Sequence, residues 1–262
     1  MEPKKQKYAL VTGAGQGLGK AFAYELAKRG INLILVSLPG ENLKALSGEI
    51  ARTFSIDAVW YETDLSVGKN VLELAKWVNR DYEVTMLINN AGTGGSRKFQ
   101  EASPEYINKI IQVNVTATSL LTHQLMPNLL RQSQSYILNV SSMAAFSPIG
   151  YKTVYPASKT FIHSFSRGLN AELRGTSVFV SVVNPGAMKT NPEITERVEK
   201  QGKLGKLTLL EPRKVAEKSI NGMFRKDSVI MVNPFSWLVL SLIPIWIKLP
   251  LMTRAIKREI CG

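Results

Sequence analysis

Seven short apolar runs, at 8–11, 32–36, 58–61, 85–88, 136–140, 178–183 and 228–232, alternate with helix-patterned segments along the chain. No other feature of the sequence constrains the fold as much. Strands separated by helices cannot pair as hairpins, and right-handed crossovers lay them side by side in one parallel sheet. The helical patterns fall at 17–29, 41–53, 67–80, 104–131, 154–174 and 211–224, and a mobile helical insert is expected at 192–205. The expectation is one α/β domain over 1–262, with seven parallel strands, helices on both faces and ligands at the carboxyl ends of the strands. A substrate-covering insert and helix is expected at 187–226, and a helical appendage, apolar and basic, at 235–258.

A chain of 262 residues, 45% hydrophobic and 20% charged, suits a single core of this kind and excludes a disordered or low-complexity scaffold. Lys and Arg exceed Asp and Glu by 33 to 20, and 14 of these basic residues against 7 acidic ones lie in 189–262. That excess favours an anionic partner such as a nucleotide phosphate, a coenzyme A thioester or a membrane surface. The basic residues are interspersed with acids and no nucleic-acid-binding module is visible, so nucleic acid is a poor candidate. A single cysteine, Cys261, leaves no intramolecular disulfide, and with two histidines no zinc-ligand set is expected. The charged N-terminus runs directly into an apolar strand without the h-region of a signal peptide, so a cytoplasmic chain is expected. The run FSWLVLSLIPIWIKLPLM at 235–252 is broken by Pro244, Lys248 and Pro250. It reads as an interfacial or substrate-covering helix with peripheral membrane contact, not as a span.

Immediately after the first strand comes TGAGQGLG, at 12–19, opening a helix. Gly13 suits a tight turn, Gly17 a close approach to a pyrophosphate, and Gly19 the packing of helix on strand, with the helix amides facing the anion. Further along, Tyr155 and Lys159 stand four apart and share one helix face. A phenol with an ordinary pKa of about 10 is a poor base near neutrality unless a cation stabilises its phenolate, and Lys159 supplies one. Ser142, ending the fifth strand 13 residues before Tyr155, can offer a hydroxyl to the same substrate oxygen.

The G-x-x-x-G-x-G spacing at 13–19 resembles the short-chain dehydrogenase/reductase family, and further segments follow in family-like order. They are Asp64 after the third strand, NNAG at 89–92 after the fourth, Asn114 in a VNV context, Ser142 within NVSS, YPASK at 155–159, and Pro185-Gly186 with Thr190 beyond. The resemblance runs from about Lys7 to Met231, and it loosely favours the branch that holds 3-oxoacyl-CoA and steroid reductases. It implies a Rossmann-like fold and a hydride transfer between nicotinamide and a ketone or secondary alcohol, with Tyr155 as general acid and base. In that reading Asn114, Ser142, Tyr155 and Lys159 are catalytic, Lys159 also holds the nicotinamide ribose, and Asn114 fixes a water that links Lys159 to solvent. The dinucleotide contacts it implies are Gly13, Gln16, Gly17, Leu18, Gly19, Ser37, Leu38, Asp64, Leu65, Asn90, Ala91, Gly92, Tyr155, Lys159, Pro185, Gly186 and Thr190. No metal is implied.

At the end of the second strand, Val36-Ser37-Leu38 carries neither the acid that takes a ribose 2′-hydroxyl nor an Arg for a 2′-phosphate, so the overall charge tilts the expectation to NADP(H) over NAD(H). Gly94, Gly95, Met143, Phe146, Ile149, Tyr151, Ala187 and Met188 are the expected walls beside Tyr155, largely apolar and suited to a small hydrophobic carbonyl or alcohol. Phe161 and Phe165, on the same helix, read as core or as a subunit interface of a homodimer or homotetramer. Two other readings use the same fold: a dinucleotide-binding regulator without turnover, and a membrane-surface protein acting through its C-terminal tail.

Overall fold

The computed structural model describes residues 6–188, 209–234, 237 and 242–261. The expected insert at 192–205 and Thr190 lie outside the described residues, as do 235–236 and 238–241 of the expected appendage. The chain alternates strand and helix as β1 (Lys7–Thr12), α1 (Gly17–Ala27), β2 (Asn32–Ser37), α2 (Leu43–Phe54), β3 (Ala58–Glu62), α3 (Gly68–Asp81) and β4 (Glu83–Asn89). It continues through α4 (Pro104–Ile111), α5 (Thr118–Leu130), β5 (Ser135–Val140), α6 (Val154–Glu172), β6 (Val178–Val183), α7 (Pro212–Phe224), β7 (Val229–Ile230) and α8 (Ile245–Cys261).

All seven strands are parallel, in the order β3-β2-β1-β4-β5-β6-β7. The order reverses between β1 and β4, and this switch point is where an open α/β sheet leaves a crevice. Strand alternation splits the core in two: Ala9, Val11, Leu33 and Leu35 face α1, α2 and α7, whereas Leu10, Ile34 and Val36 face α3 and α5. Both faces of each strand are therefore apolar, which is why the strands read as continuous runs and not as alternating ones.

Two elements depart from expectation. The single helix expected at 104–131 is divided by a π-helical turn, Gln112–Ala117, between α4 and α5. Its cause is polar: Asn114 is buried in that turn and bonded to neighbouring backbone, and a π turn frees it from the regular ladder. The expected strand at 228–232 shortens to two paired residues against β6.

A buried polar ladder fixes α6 against the sheet. Asn89 donates to Thr122 Oγ1 at 3.0 Å and to Asn139 Oδ1 at 2.8 Å, and Asn139 donates to Ser166 Oγ of α6 at 2.9 Å. Every member has its partner, so the ladder locates the helix without leaving an unsatisfied group.

Candidate active site

The glycine-rich turn after β1 is closed as its sequence demands. Gly13 and Gly17 adopt left-handed φ of 64° and 53°, and a Cβ on Gly19 would stand 1.9 Å from the Gly13 carbonyl oxygen. No side chain fits there, so the start of α1 packs directly on the turn. Asn90 holds it from the β4 side: its Nδ2 donates to the carbonyls of Thr12 (2.9 Å) and Gly13 (3.2 Å). The amides of Asn90 and Ala91 in turn both donate to Thr12 Oγ1 at 3.0 Å. Asn90 is thus a strut of the cradle, its side chain committed to the turn. A cradle with φ values only glycine readily adopts, at a helix N-terminus and at the switch point, fits the pyrophosphate of a dinucleotide.

The tetrad of Asn114, Ser142, Tyr155 and Lys159 converges near the carboxyl ends of β4 and β5. Tyr155 and Lys159 lie in the first turns of α6, with Lys159 Nζ 5.8 Å from the centre of the Tyr155 ring. Lys159 is only 5% exposed; its ammonium donates to the Val140 carbonyl at 2.9 Å, and its own carbonyl accepts from Ser141 Oγ at 2.8 Å. Ser142 lies two residues past β5, where its Oγ accepts from the Ala144 amide at 3.1 Å. Asn114 Oδ1 accepts from the Thr93 amide (2.8 Å), while its Nδ2 donates to the Thr93 carbonyl (2.9 Å) and to Ser158 Oγ (2.9 Å). Ser158 passes the tie on to the Tyr155 carbonyl at 2.7 Å. Asn114 therefore locks the loop after β4 to the helix that carries the phenol.

Two glycines make room for this arrangement. A Cβ on Gly92 would come to 3.2 Å from Lys159 Nζ, and one on Gly94 to 2.5 Å from Cδ2 of the Tyr155 ring. Burial pushes the Tyr155 phenol above its ordinary value, with the hydroxyl of Ser142 working in the opposite direction. Burial also lowers Lys159 to about 8. Near neutrality the phenol is protonated and the amine mostly charged, the pair of states a general acid needs.

Among the expected walls, Gly94 abuts Tyr155 as anticipated. Gly95 does not: it faces the Tyr106 ring, because the loop turns between the two glycines. Phe146 packs edge-on against His163 of α6 and Trp237. Phe161 is not core; it is exposed on α6 and stacks on Phe165 at 5.7 Å. Ser37 is buried and Leu38 exposed at the end of β2. Asp64 caps the turn after β3, its Oδ1 accepting from the Ser66 amide at 2.8 Å, and Leu65 is buried beside it.

One residue escaped the sequence reading. Glu41 folds back over the glycine-rich turn, where its Oε1 accepts from Gln16 Nε2 at 3.2 Å and its Oε2 covers Gly15. The end of β2 itself carries no acid, yet the following loop returns one to the same corner. Only the conformation of residues 38–42, with Gly40 at φ 86° and Asn42 at φ 55°, brings it there. A crevice of about 380 Å³ bordered by Arg174 and Lys226 lies at the opposite, amino end of the sheet, remote from the tetrad.

A family profile described as short chain dehydrogenase matches residues 7–201. The chain belongs to the short-chain dehydrogenase family. Hydroxysteroid dehydrogenase-like protein 1 of Gallus gallus is 33% identical over 194 residues, covering 73% of this chain and 59% of that protein. A very-long-chain 3-oxoacyl-CoA reductase of Macaca fascicularis is 29% identical over 262 residues, covering 94% of this chain and 78% of its own length. The chain thus spans about three fifths of the length of some curated relatives it matches. Among solved structures, a short-chain dehydrogenase from Sphingobium yanoikuyae in complex with NADPH superposes with a TM-score of 0.79 at 27% identity, covering 90% of this chain and 92% of that one. One from Burkholderia phymatum in complex with NAD gives 0.79 at 25% identity, with 92% and 94% covered.

Proposed function

We propose that this chain catalyses the NAD(P)-dependent interconversion of a hydrophobic ketone and its secondary alcohol, with substrates of the 3-oxoacyl thioester or steroid type. The observation that carries the reading is the half-buried Tyr155 phenol, with Lys159 Nζ 5.8 Å from its ring, Ser142 beside it and Gly94 against its edge. The dinucleotide, when bound, supplies or accepts the hydride. Tyr155 donates its proton to the substrate oxygen as the carbonyl is reduced, and Ser142 gives that oxygen a hydrogen bond. Lys159 stabilises the phenolate left behind, and it is held in place by Val140 while it does so. In the oxidative direction the same phenolate takes the proton back. The relatives named as 3-oxoacyl-CoA reductases and hydroxysteroid dehydrogenase-like proteins support the substrate class.

For the dinucleotide, the acid-free end of β2 and the basic chain support NADP(H), and Glu41 is the carboxylate that opposes it. The exposed Phe161–Phe165 stack supports assembly as a homodimer or homotetramer through the outer face of α6. A cofactor-consumption screen of ketones and acyl thioesters, with NADH and NADPH in parallel, tests the function. On any substrate reduced, Tyr155→Phe should leave dinucleotide binding within about threefold and lower kcat at least ~100-fold, because only the proton donor is lost. Near-normal turnover by that variant refutes the mechanism. Tight dinucleotide binding with no turnover across the screen would make the chain a binding regulator.

A further inference from the structure

The C-terminal helix α8 has two unlike sides. Its inner side is tied to the loops that frame Tyr155. Lys248 Nζ donates to the Phe146 carbonyl at 3.1 Å, Thr253 Oγ1 accepts from the Gly150 amide at 3.0 Å, and Glu259 accepts from Ser96 Oγ at 2.9 Å. The Glu259 carboxylate, 3% exposed, also lies 3.8 Å from Lys152 Nζ. Lys248, the first cation of the helix, is turned inward and buried. The apolar run at 235–252, expected to cover the substrate or lie at an interface, leaves Leu242, Ile245 and Leu249 exposed. Ile256 fills the inner side in their place.

The outer side is open, and its composition is ordered along the helix. Ile247, Leu251, Arg254 and Arg258, spaced four, three and four apart, form one outward row. Beside its start Trp246 is 73% exposed, as is Leu242 just before the helix, and Leu251 within the row is 56% exposed. At its end stand Arg254, Lys257 and Arg258, all exposed. The helix has one carboxylate, Glu259, and that is the one drawn inward, so every exposed charge on α8 is positive. An apolar end carrying a tryptophan, followed within ~25 Å by a purely cationic end, is the pattern of a helix lying obliquely in the headgroup layer of a bilayer. No helix among the described residues is long and apolar enough to cross a membrane.

We infer that the outer side of α8 docks on anionic lipid bilayers, with Trp246 and Leu251 entering the acyl boundary and Arg254, Lys257 and Arg258 meeting the headgroups. Charge complementarity selects this occupant: a second copy would bring two sets of cations into one interface, whereas acidic headgroups neutralise one set. Because the inner side clasps the loops at 96, 146 and 150, docking also holds the mouth of the site at the lipid surface, where a hydrophobic ketone accumulates. That last clause rests on the proposed function; the docking does not.

Flotation of the full chain with vesicles tests it without turnover, using phosphatidylcholine alone and phosphatidylcholine with 30% phosphatidylglycerol. The chain should float with the acidic vesicles, and 0.5 M NaCl should weaken the binding. Arg254→Glu with Lys257→Glu and Arg258→Glu should lower partitioning at least ~100-fold, at roughly fivefold per cation removed. Trp246→Glu with Leu251→Glu should lower it by a similar factor. Unchanged thermal melting and dinucleotide binding show that each variant is folded. Binding to acidic vesicles that both variants retain overturns the inference. So does a wild type that does not float, or one that sediments as a dimer which Trp246→Glu with Leu251→Glu dissociates.

Discussion

Replacing Gly94 by alanine tests the placement of the phenol directly. The glycine is not in the left-handed region, so alanine meets no backbone strain there and only space matters. The new methyl would lie 2.5 Å from Cδ2, 3.0 Å from Cε2 and 3.1 Å from Cγ of Tyr155. Ordinary carbon contacts begin near 3.5 Å, so ring and methyl must separate by about 1 Å. The loop cannot supply that movement cheaply, since Asn114 holds both the amide and the carbonyl of the neighbouring Thr93. The ring therefore moves, and a displacement of about 1 Å at a proton donor costs on the order of 100-fold in rate, or about 2.7 kcal/mol of barrier. The assay is kcat on any reduced ketone, alongside dinucleotide affinity by fluorescence and thermal melting, both of which should stay near wild type because the cradle at Gly13 and Gly19 is untouched. A folded Gly94→Ala protein with kcat within threefold of wild type would refute the geometry assigned to Tyr155.

Four further expectations concern the site and the ladder beneath it. Glu41→Gln should tighten NADPH binding roughly fivefold with little change for NADH, as removal of one partly exposed carboxylate from the 2′-phosphate corner would, and Leu38→Asp should reverse the order of the two cofactors in parallel titrations. Burial that lowers Lys159 to about 8 makes the native chain release this proton before the unfolded chain, whose lysine titrates near 10.4. The stability of wild type relative to Lys159→Met should therefore be lowest below pH 8 and rise by about 3 kcal/mol toward pH 10, measured by urea unfolding; a flat difference contradicts the shift. Asn139→Ala should cost about 1–3 kcal/mol by removing one of the two acceptors of Asn89 and loosening α6, read as a lowered urea midpoint.

The strand–helix alternation, the glycine-rich turn and the Tyr155–Lys159 spacing were legible in the sequence because each is local. Apolar period, φ requirement and helix pitch are properties of consecutive residues. Residue order along the chain likewise places Ser142 at the end of β5 and Tyr155 at the start of α6. What consecutive residues do not carry is which distant groups meet. Asn90 turned out to be a strut because β4 lies beside β1, and Asn114 imposed a π turn because its partners, Thr93 and Ser158, come from other segments. Glu41 reached the glycine turn only through the conformation of its loop. On α8, the sequence shows an apolar start and a basic end but not which side points inward. Pairing Lys248, Thr253 and Glu259 with the loops around Tyr155 decided that, by turning these polar groups in and leaving Ile247, Leu251 and the remaining cations out.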